Sequence, residues 1–272
     1  MKVALTGATG LVGRFIADGL RAAGDTVVPL SRPEYRLGDR PDLSGCDALV
    51  HSALAHVPGR YRGGEGDDPE GFTRANLDGS LALFEAAKVS GVGRVTFLST
   101  RAVYGAYPPG TTLTEDMPPR PDTLYGEVKW QAEQALDALC GDAFSAASIR
   151  ATGVYGEGTG HKWEGLFADF QAGRPIQPRR STELHGADLA RAVHLLLHRT
   201  ETGVFNASDI LLDRRDLLAR VAALTGGTSA LPEASDAPVS EMRCDRLRAL
   251  GWRPSGWQAL DRALPDLLKT VP

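Results

Sequence analysis

Tyr125 and Lys129 stand four residues apart, so in a helix the phenol and the ammonium share one face. A phenol with an ordinary pKa near ~10 serves as acid or base around neutrality only where adjacent positive charge favours its phenolate. Lys129, with an oxidised nicotinamide beside it, would supply that charge. Twenty-five residues upstream, Thr100 offers a hydroxyl to the carbonyl or hydroxyl oxygen on which Tyr125 would act. Near the start, Thr6-Gly7-Ala8-Thr9-Gly10-Leu11-Val12-Gly13 follows an apolar run directly and opens an amphipathic stretch. Gly7 permits the tight turn, Gly10 lets backbone approach a pyrophosphate, and Gly13 lets helix and strand pack closely. The backbone of Thr9, Leu11 and Val12, at the helix N-terminus, supplies oriented N–H groups. Together the three pieces describe a nicotinamide-dependent enzyme.

The end of the second strand of such a fold meets the adenosine ribose, where a carboxylate would bind both hydroxyls and repel a 2′-phosphate. Here the chain reads Ser31-Arg32, a hydroxyl and a guanidinium suited to phosphate, which favours NADP over NAD. Glu34, two residues on, leaves the ribose role open.

These groups need elements to position them. Short apolar runs at 3–5, 26–30, 47–51, 94–98 and 145–149 read as buried parallel strands, and helices are predicted over 11–23, 69–90 and 122–140. The alternation predicts an α/β fold, a Rossmann-type doubly wound parallel sheet with a small C-terminal substrate lobe. The division expected is a dinucleotide-binding domain over 1–151, rejoined by about 181–207, with 152–180 and 208–272 forming the lobe. A short strand is expected at 35–37, an amphipathic segment at 163–170, a strand at 203–206, and helices at 187–199, 213–225 and 256–268. Residues 58–68, with four glycines, two arginines and three acids, read as a mobile loop.

With 272 residues, 42% of them hydrophobic, the chain can bury a full core. Thirty basic residues against 34 acidic ones give a net charge of −4, so no global positive field recruits nucleic acid or an anionic membrane. Cys46, Cys140 and Cys244 stand apart, which fits a reducing compartment and argues against structural zinc. No signal peptide is read before the first strand and no apolar run approaches the ~20 residues of a membrane span, so a cytoplasmic protein is expected.

On these residues the chain resembles the extended branch of the short-chain dehydrogenase/reductase superfamily, the NAD(P)-dependent epimerases, dehydratases and reductases. The branch pattern T-G-x-x-G-x-x-G is met at 6–13, and a strand ending in a hydroxyl pair and followed by V-Y-G is met at Ser99-Thr100-Arg101-Ala102-Val103-Tyr104-Gly105. Further matches are residues 47–53, Asn76, 150–156 and 185–189. The resemblance implies that Tyr125 is the catalytic acid/base, that Lys129 binds the nicotinamide ribose and tunes Tyr125, and that Thr100 binds the reacting oxygen. It also implies that Ser52, Ala53 and Leu54 line the cofactor, that Asn76 supports its site, and that Ala151, Thr152, Gly153 and Val154 pass beside the nicotinamide.

Dehydratases of this branch place an acid pair after the Thr; this chain has Arg101-Ala102, which disfavours elimination. Hydride transfer on a sugar, sugar nucleotide or similar small hydroxyl or carbonyl compound is the leading expectation. Nucleotide-sugar 4-epimerisation is the alternative, and a non-catalytic NADP-sensing regulator the rival of another class. His56, Arg101, His161, Trp163, Arg179 and Arg180 are substrate candidates. No metal is expected, since His194 and His198 share a helix face without an acidic third ligand. Enzymes it resembles dimerise through the two long helices, and Leu77, Leu81, Phe84, Val128, Ala132 and Leu136 offer apolar positions for a homodimer.

Overall fold

The computed structural model describes residues 1–57 and 64–270. Six parallel strands form the main sheet: β1 (Lys2–Thr6), β2 (Thr26–Leu30), β3 (Ala48–His51), β4 (Arg94–Thr100), β5 (Ser145–Ala151) and, after two strands described below, β8 (Gly203–Ala207). Their order is β2-β1-β3-β4-β5-β8, a Rossmann-like sheet whose direction of growth reverses at β1. Ligands of such sheets bind beyond the carboxyl ends of the strands at that reversal.

Helices cover both faces. On one face α1 (Leu11–Ala22) and α6 (Gly186–Leu197) bury Ile16, Leu20, Leu189 and Leu196 against Leu5 and Ile149. The other face is covered by α3 (Gly79–Val89) and α4 (Leu124–Ala138). The expected helix over 69–90 is one run of α2 (Pro69–Thr73), a π-helical stretch Arg74–Asp78, and α3. Its start is set by Asp68, whose carboxylate accepts from the Gly71 amide at 2.7 Å, and Thr123 caps α4 through the Gly126 amide at 3.1 Å.

Two expectations fail. Residues 35–37 form no strand: this short connection turns at Gly38, at φ +104, and Tyr35 and Leu43 plug the core beside Leu49 and Phe84. The stripe named for a homodimer also faces inward. Phe84 is fully buried between the His51 and Phe97 rings, and Val128, Ala132 and Leu136 are buried too, leaving Leu77 and Leu81 half-buried. Such burial is worth about 1.5–3 kcal/mol for a large apolar side chain, so these residues already serve their own core.

The second layer of structure is a three-stranded sheet, β6 (Gly153–Tyr155), β7 (Arg180–His185) and β9 (Ile210–Asp213), with β7 and β9 antiparallel. Within 181–207, β8 enters the main sheet, whereas β7 belongs to this smaller one. Helices α5 (Glu164–Gln171), α7 (Arg214–Thr225) and α9 (Trp257–Lys269) enclose a separate core of Trp163, Phe167, Phe170, Leu218 and Leu264, while the short α8 (Asp245–Ala249) lies against β8. Part of the expected loop, 58–63, lies outside the described residues; 64–67 form turns, and the Val57 amide donates to the Gly64 carbonyl at 2.8 Å. No helix among the described residues is long and apolar enough to cross a membrane.

Candidate active site

The glycine turn connects β1 to α1. Gly7 sits at φ +69, and a Cβ there would lie 2.9 Å from the Ala53 amide nitrogen; a Cβ on Gly13 would lie 1.9 Å from the Gly7 carbonyl oxygen. Only glycine fits either position. Gly10 caps α1 with no side chain bonded to the first turn, and Leu11 and Val12 are half-buried, so their amides remain as donors for an anion. The cradle fits a dinucleotide pyrophosphate.

A polar chain fixes the wall opposite. The Thr6 hydroxyl oxygen accepts from the Ser52 and Ala53 amides, both at 3.2 Å, and donates its proton to His51 Nδ1 at 2.7 Å. Ser80 donates to the Asn76 carbonyl, so its oxygen is left to accept from His51 Nε2 at 2.9 Å. His51 is wholly buried, and desolvation, aided by Lys129, pushes its pKa down to about 3. Asn76 then grips Ala55 twice, amide to Oδ1 and Nδ2 to carbonyl, each at 2.8 Å. Ser52, Ala53 and Leu54 are thereby held half-exposed beside the glycine turn. Ser31 and Arg32 follow the last residue of β2, Leu30, which pairs with Thr6; Arg32 is exposed.

Thr100 ends β4 and caps the 3-10 turn Arg101–Tyr104, its hydroxyl accepting from the Ala102 amide at 3.1 Å. That turn abuts α4 beside Tyr125, because a Cβ on Gly126 would lie 2.6 Å from the Ala102 carbonyl oxygen. Gly126 escaped the sequence reading, its need being a contact between segments. One turn further along α4, Lys129 is buried, donates to the Leu98 carbonyl at 2.8 Å and lies 4.5 Å from the Phe97 ring centre. Burial lowers its pKa to about 7, with Glu133 opposing.

Behind Lys129 lies a buried ionic cluster whose role sequence alone did not suggest. Arg150 binds Glu133 with Nη2 at 2.7 Å and Nε at 3.1 Å, and donates to the Tyr104 hydroxyl at 2.8 Å. Ser99 donates to Glu133, and Tyr104 donates to Asn206 Oδ1 at 3.0 Å. The cluster ties β4, the 3-10 turn, α4, β5 and β8 together directly under Thr100 and Lys129.

Past Ala151, Thr152 is held by the Thr182 carbonyl at 2.8 Å, and Gly153 passes so close to the paired Lys162 and Glu183 that a Cβ would lie 2.6 Å from Nζ. Val154 is half-buried in β6. A hollow beside this crossing is lined by Lys162, Trp163, Arg179, Glu183 and Arg214. Arg180 does not join Arg179 there; it lines another hollow with Asp213 and Asp216, as expected of neighbours that project to opposite sides of an extended chain. His161 is also withdrawn from any ligand. Its ring is buried, with Nε2 at 3.0 Å from the Leu267 carbonyl and Nδ1 accepting from the Trp163 amide at 3.2 Å. Trp163 stacks on Tyr155 and is mostly core. Arg101 donates to the Ser240 carbonyl at 2.9 Å, and the His56 Nδ1 lies 2.7 Å from the Val57 carbonyl.

The model of the NAD dependent epimerase/dehydratase family matches residues 3–208. The chain belongs to that family. It is therefore an enzyme built around a nicotinamide dinucleotide. The UDP-glucose 4-epimerase of Corynebacterium glutamicum is 26% identical over 250 residues, covering 76% of this chain and 74% of that one. The dTDP-4-dehydrorhamnose reductase of Mycolicibacterium smegmatis is 28% identical over 176 residues, 63% of this chain and 51% of that one. The UDP-glucose 4-epimerase of Thermus thermophilus, solved in complex with NAD, superposes with a TM-score of 0.79 at 26% identity over the whole of both chains. The Rossmann-type fold and the family expected from the motifs both hold.

One absence inferred from sequence does not. His194 and His198 do have an acidic neighbour: Asp25, from the turn before β2, lies against both.

Proposed function

We propose that this family member is an NADP-preferring oxidoreductase acting on a hydroxyl or carbonyl of a sugar or sugar nucleotide. The observation that carries it is the 3-10 turn capped by Thr100, packed on α4 beside Tyr125 with Lys129 buried one turn behind. When bound, the cofactor supplies hydride acceptance or donation at the substrate carbon. Tyr125 takes or returns the proton on the neighbouring oxygen, Thr100 orients that oxygen through its hydroxyl, and Lys129 stabilises the phenolate. Arg101 stands where elimination would need an acid, which supports simple redox chemistry over dehydration. Gly7, Thr9, Gly10, Leu11, Val12 and Gly13 would hold the pyrophosphate, Asn76 would support the wall formed by Ser52, Ala53 and Leu54, and residues 151–154 would flank the nicotinamide. Arg179, Lys162 and Arg214 would meet an anionic part of the substrate. Free Cys46, Cys140 and Cys244 support a cytoplasmic setting.

The 4-epimerase names among the relatives favour a second reading, in which hydride returns to the opposite face. Incubation with NADP or NAD and a panel of sugars, sugar acids and nucleotide sugars separates the two. Net absorbance change at 340 nm marks the oxidoreductase; product without net change, and cofactor retained through purification, marks the epimerase.

NADP preference rests on Arg32 and Ser31 following β2. Arg32→Ala is expected to cost about 1.5–3 kcal/mol of NADP affinity, the scale of hydrogen bonds to charged groups, and to leave NAD nearly untouched. Calorimetric titration of both cofactors checks this; equal losses would refute it. A homodimer is proposed through the half-buried Leu77 of the π-helical stretch and Leu81 of α3, with Phe84 and Leu136 excluded. Light scattering at micromolar concentration is expected to give twice the chain mass, and a monomer there ends the proposal.

A further inference from the structure

His194, in the last turn of α6, and His198, the C-cap residue just beyond it, stand four residues apart with ring centres 4.5 Å from each other. Asp25 reaches them from the turn that joins α1 to β2. Its Oδ2 lies 3.6 Å from His194 Nε2 and 3.5 Å from His198 Nε2, and one ligand atom from each of the three residues falls within 4.8 Å of the others. A tetrahedral ion bound at zinc–nitrogen and zinc–oxygen distances near 2.0–2.2 Å needs ligand atoms roughly 3.3–3.6 Å apart. The two edges from Asp25 Oδ2 to the imidazole nitrogens match that spacing before any adjustment.

The geometry points to a binding site for one divalent transition-metal ion, held by Asp25, His194 and His198 and completed by water. Two imidazoles and one carboxylate suit zinc, cobalt or nickel, and they disfavour magnesium and calcium, which take oxygen ligands. Asp25 is buried and already oriented: the Met1 ammonium donates to Oδ1 at 2.8 Å, Oδ2 is the oxygen nearer His194, and His198 Nε2 lies 3.4 Å from Oδ1 and 3.5 Å from Oδ2. A hydrogen bond to the non-ligating oxygen of a metal carboxylate is the usual outer support of such a site. His194 is half-buried and His198 exposed, so an ion can enter from solvent. The site lies at the amino ends of β1 and β2, the opposite end of the sheet from the glycine turn, so the ion would tie α6 to the α1–β2 turn without meeting cofactor or substrate.

Chelator-treated full-length protein is titrated with zinc chloride by calorimetry and with cobalt(II) by visible absorption. One ion per chain, cobalt bands of tetrahedral intensity and a melting temperature that rises with zinc are expected, with magnesium chloride giving none of these. His194→Gln and His198→Gln, at the partly exposed end of α6, should weaken zinc by roughly 10–100-fold or more while leaving cofactor binding and the metal-free melting temperature unchanged. Asp25→Asn should do the same to zinc even if it lowers the melting temperature. Absence of saturable zinc binding, or equal affinity in both histidine variants, would overturn the site and leave an ordinary cluster of ion pairs.

Discussion

Tyr125→Phe is expected to bind cofactor as the parent does and to turn over about 10²–10⁴-fold more slowly, the range of general acid–base contributions. The change removes one oxygen from a half-buried ring at the start of α4, so packing is nearly conserved. Steady-state rates beside a cofactor titration separate chemistry from binding, and unchanged turnover would refute the assignment. Lys129 sharpens the expectation. Its ammonium is present below about pH 7 and lost above it, while the phenolate it stabilises is favoured by rising pH, so the pH–rate profile should be bell-shaped. Its folded pKa lies below the ordinary 10.5, so the unfolded chain binds the extra proton between about 7 and 10.5 and this group makes stability rise with pH across that window. Lys129→Met should therefore slow the enzyme yet raise the melting temperature of the cofactor-free protein at neutral pH.

The other large effect concerns Arg150. Arg150→Leu takes from the buried Glu133 carboxylate its ion-paired partner, leaving the Ser99 hydroxyl bonded to it and the Lys129 ammonium nearby, and breaking a buried pair in this way costs about 3–5 kcal/mol. At roughly 2–4 °C per kcal/mol for a chain of this size, the melting temperature should fall by on the order of 6–20 °C. Desolvation alone would pull the Arg150 guanidinium down, and Glu133 and Tyr104 more than offset it, so its pKa is raised. Removing both charges, as Glu133→Leu with Arg150→Leu, should recover part of the loss, since the pair then leaves no unmatched carboxylate behind. A single variant that melts within a degree of the parent would show that the cluster contributes little.

Much of the cofactor end was legible because its requirements are local. Gly7 and Gly13 are dictated by a positive φ and by one contact across a tight turn, and the Tyr125–Lys129 spacing is a property of a single helix. The smaller sheet obeys longer-range rules. β6, β7 and β9 are three to six residues long, and Glu183 inside β7 reads as a surface charge until Lys162 is seen to pair with it. Phe84 and Leu136 fit an interface as well as a core, since one stripe at helical spacing does not say which neighbour it meets. Asp25 completes a cluster with residues about 170 positions away, and no spacing could reveal that.

Thr152 alone separates the last residue of β5 from the first of β6, and its hydroxyl is bound to Thr182. The two sheets are thus spliced rather than linked. Because the chain also returns from β7 through α6 and β8 before entering β9, the smaller layer is woven from segments that no single cut can release. The two layers therefore have no independent hinge at this splice, and the whole molecule is expected to melt as one unit.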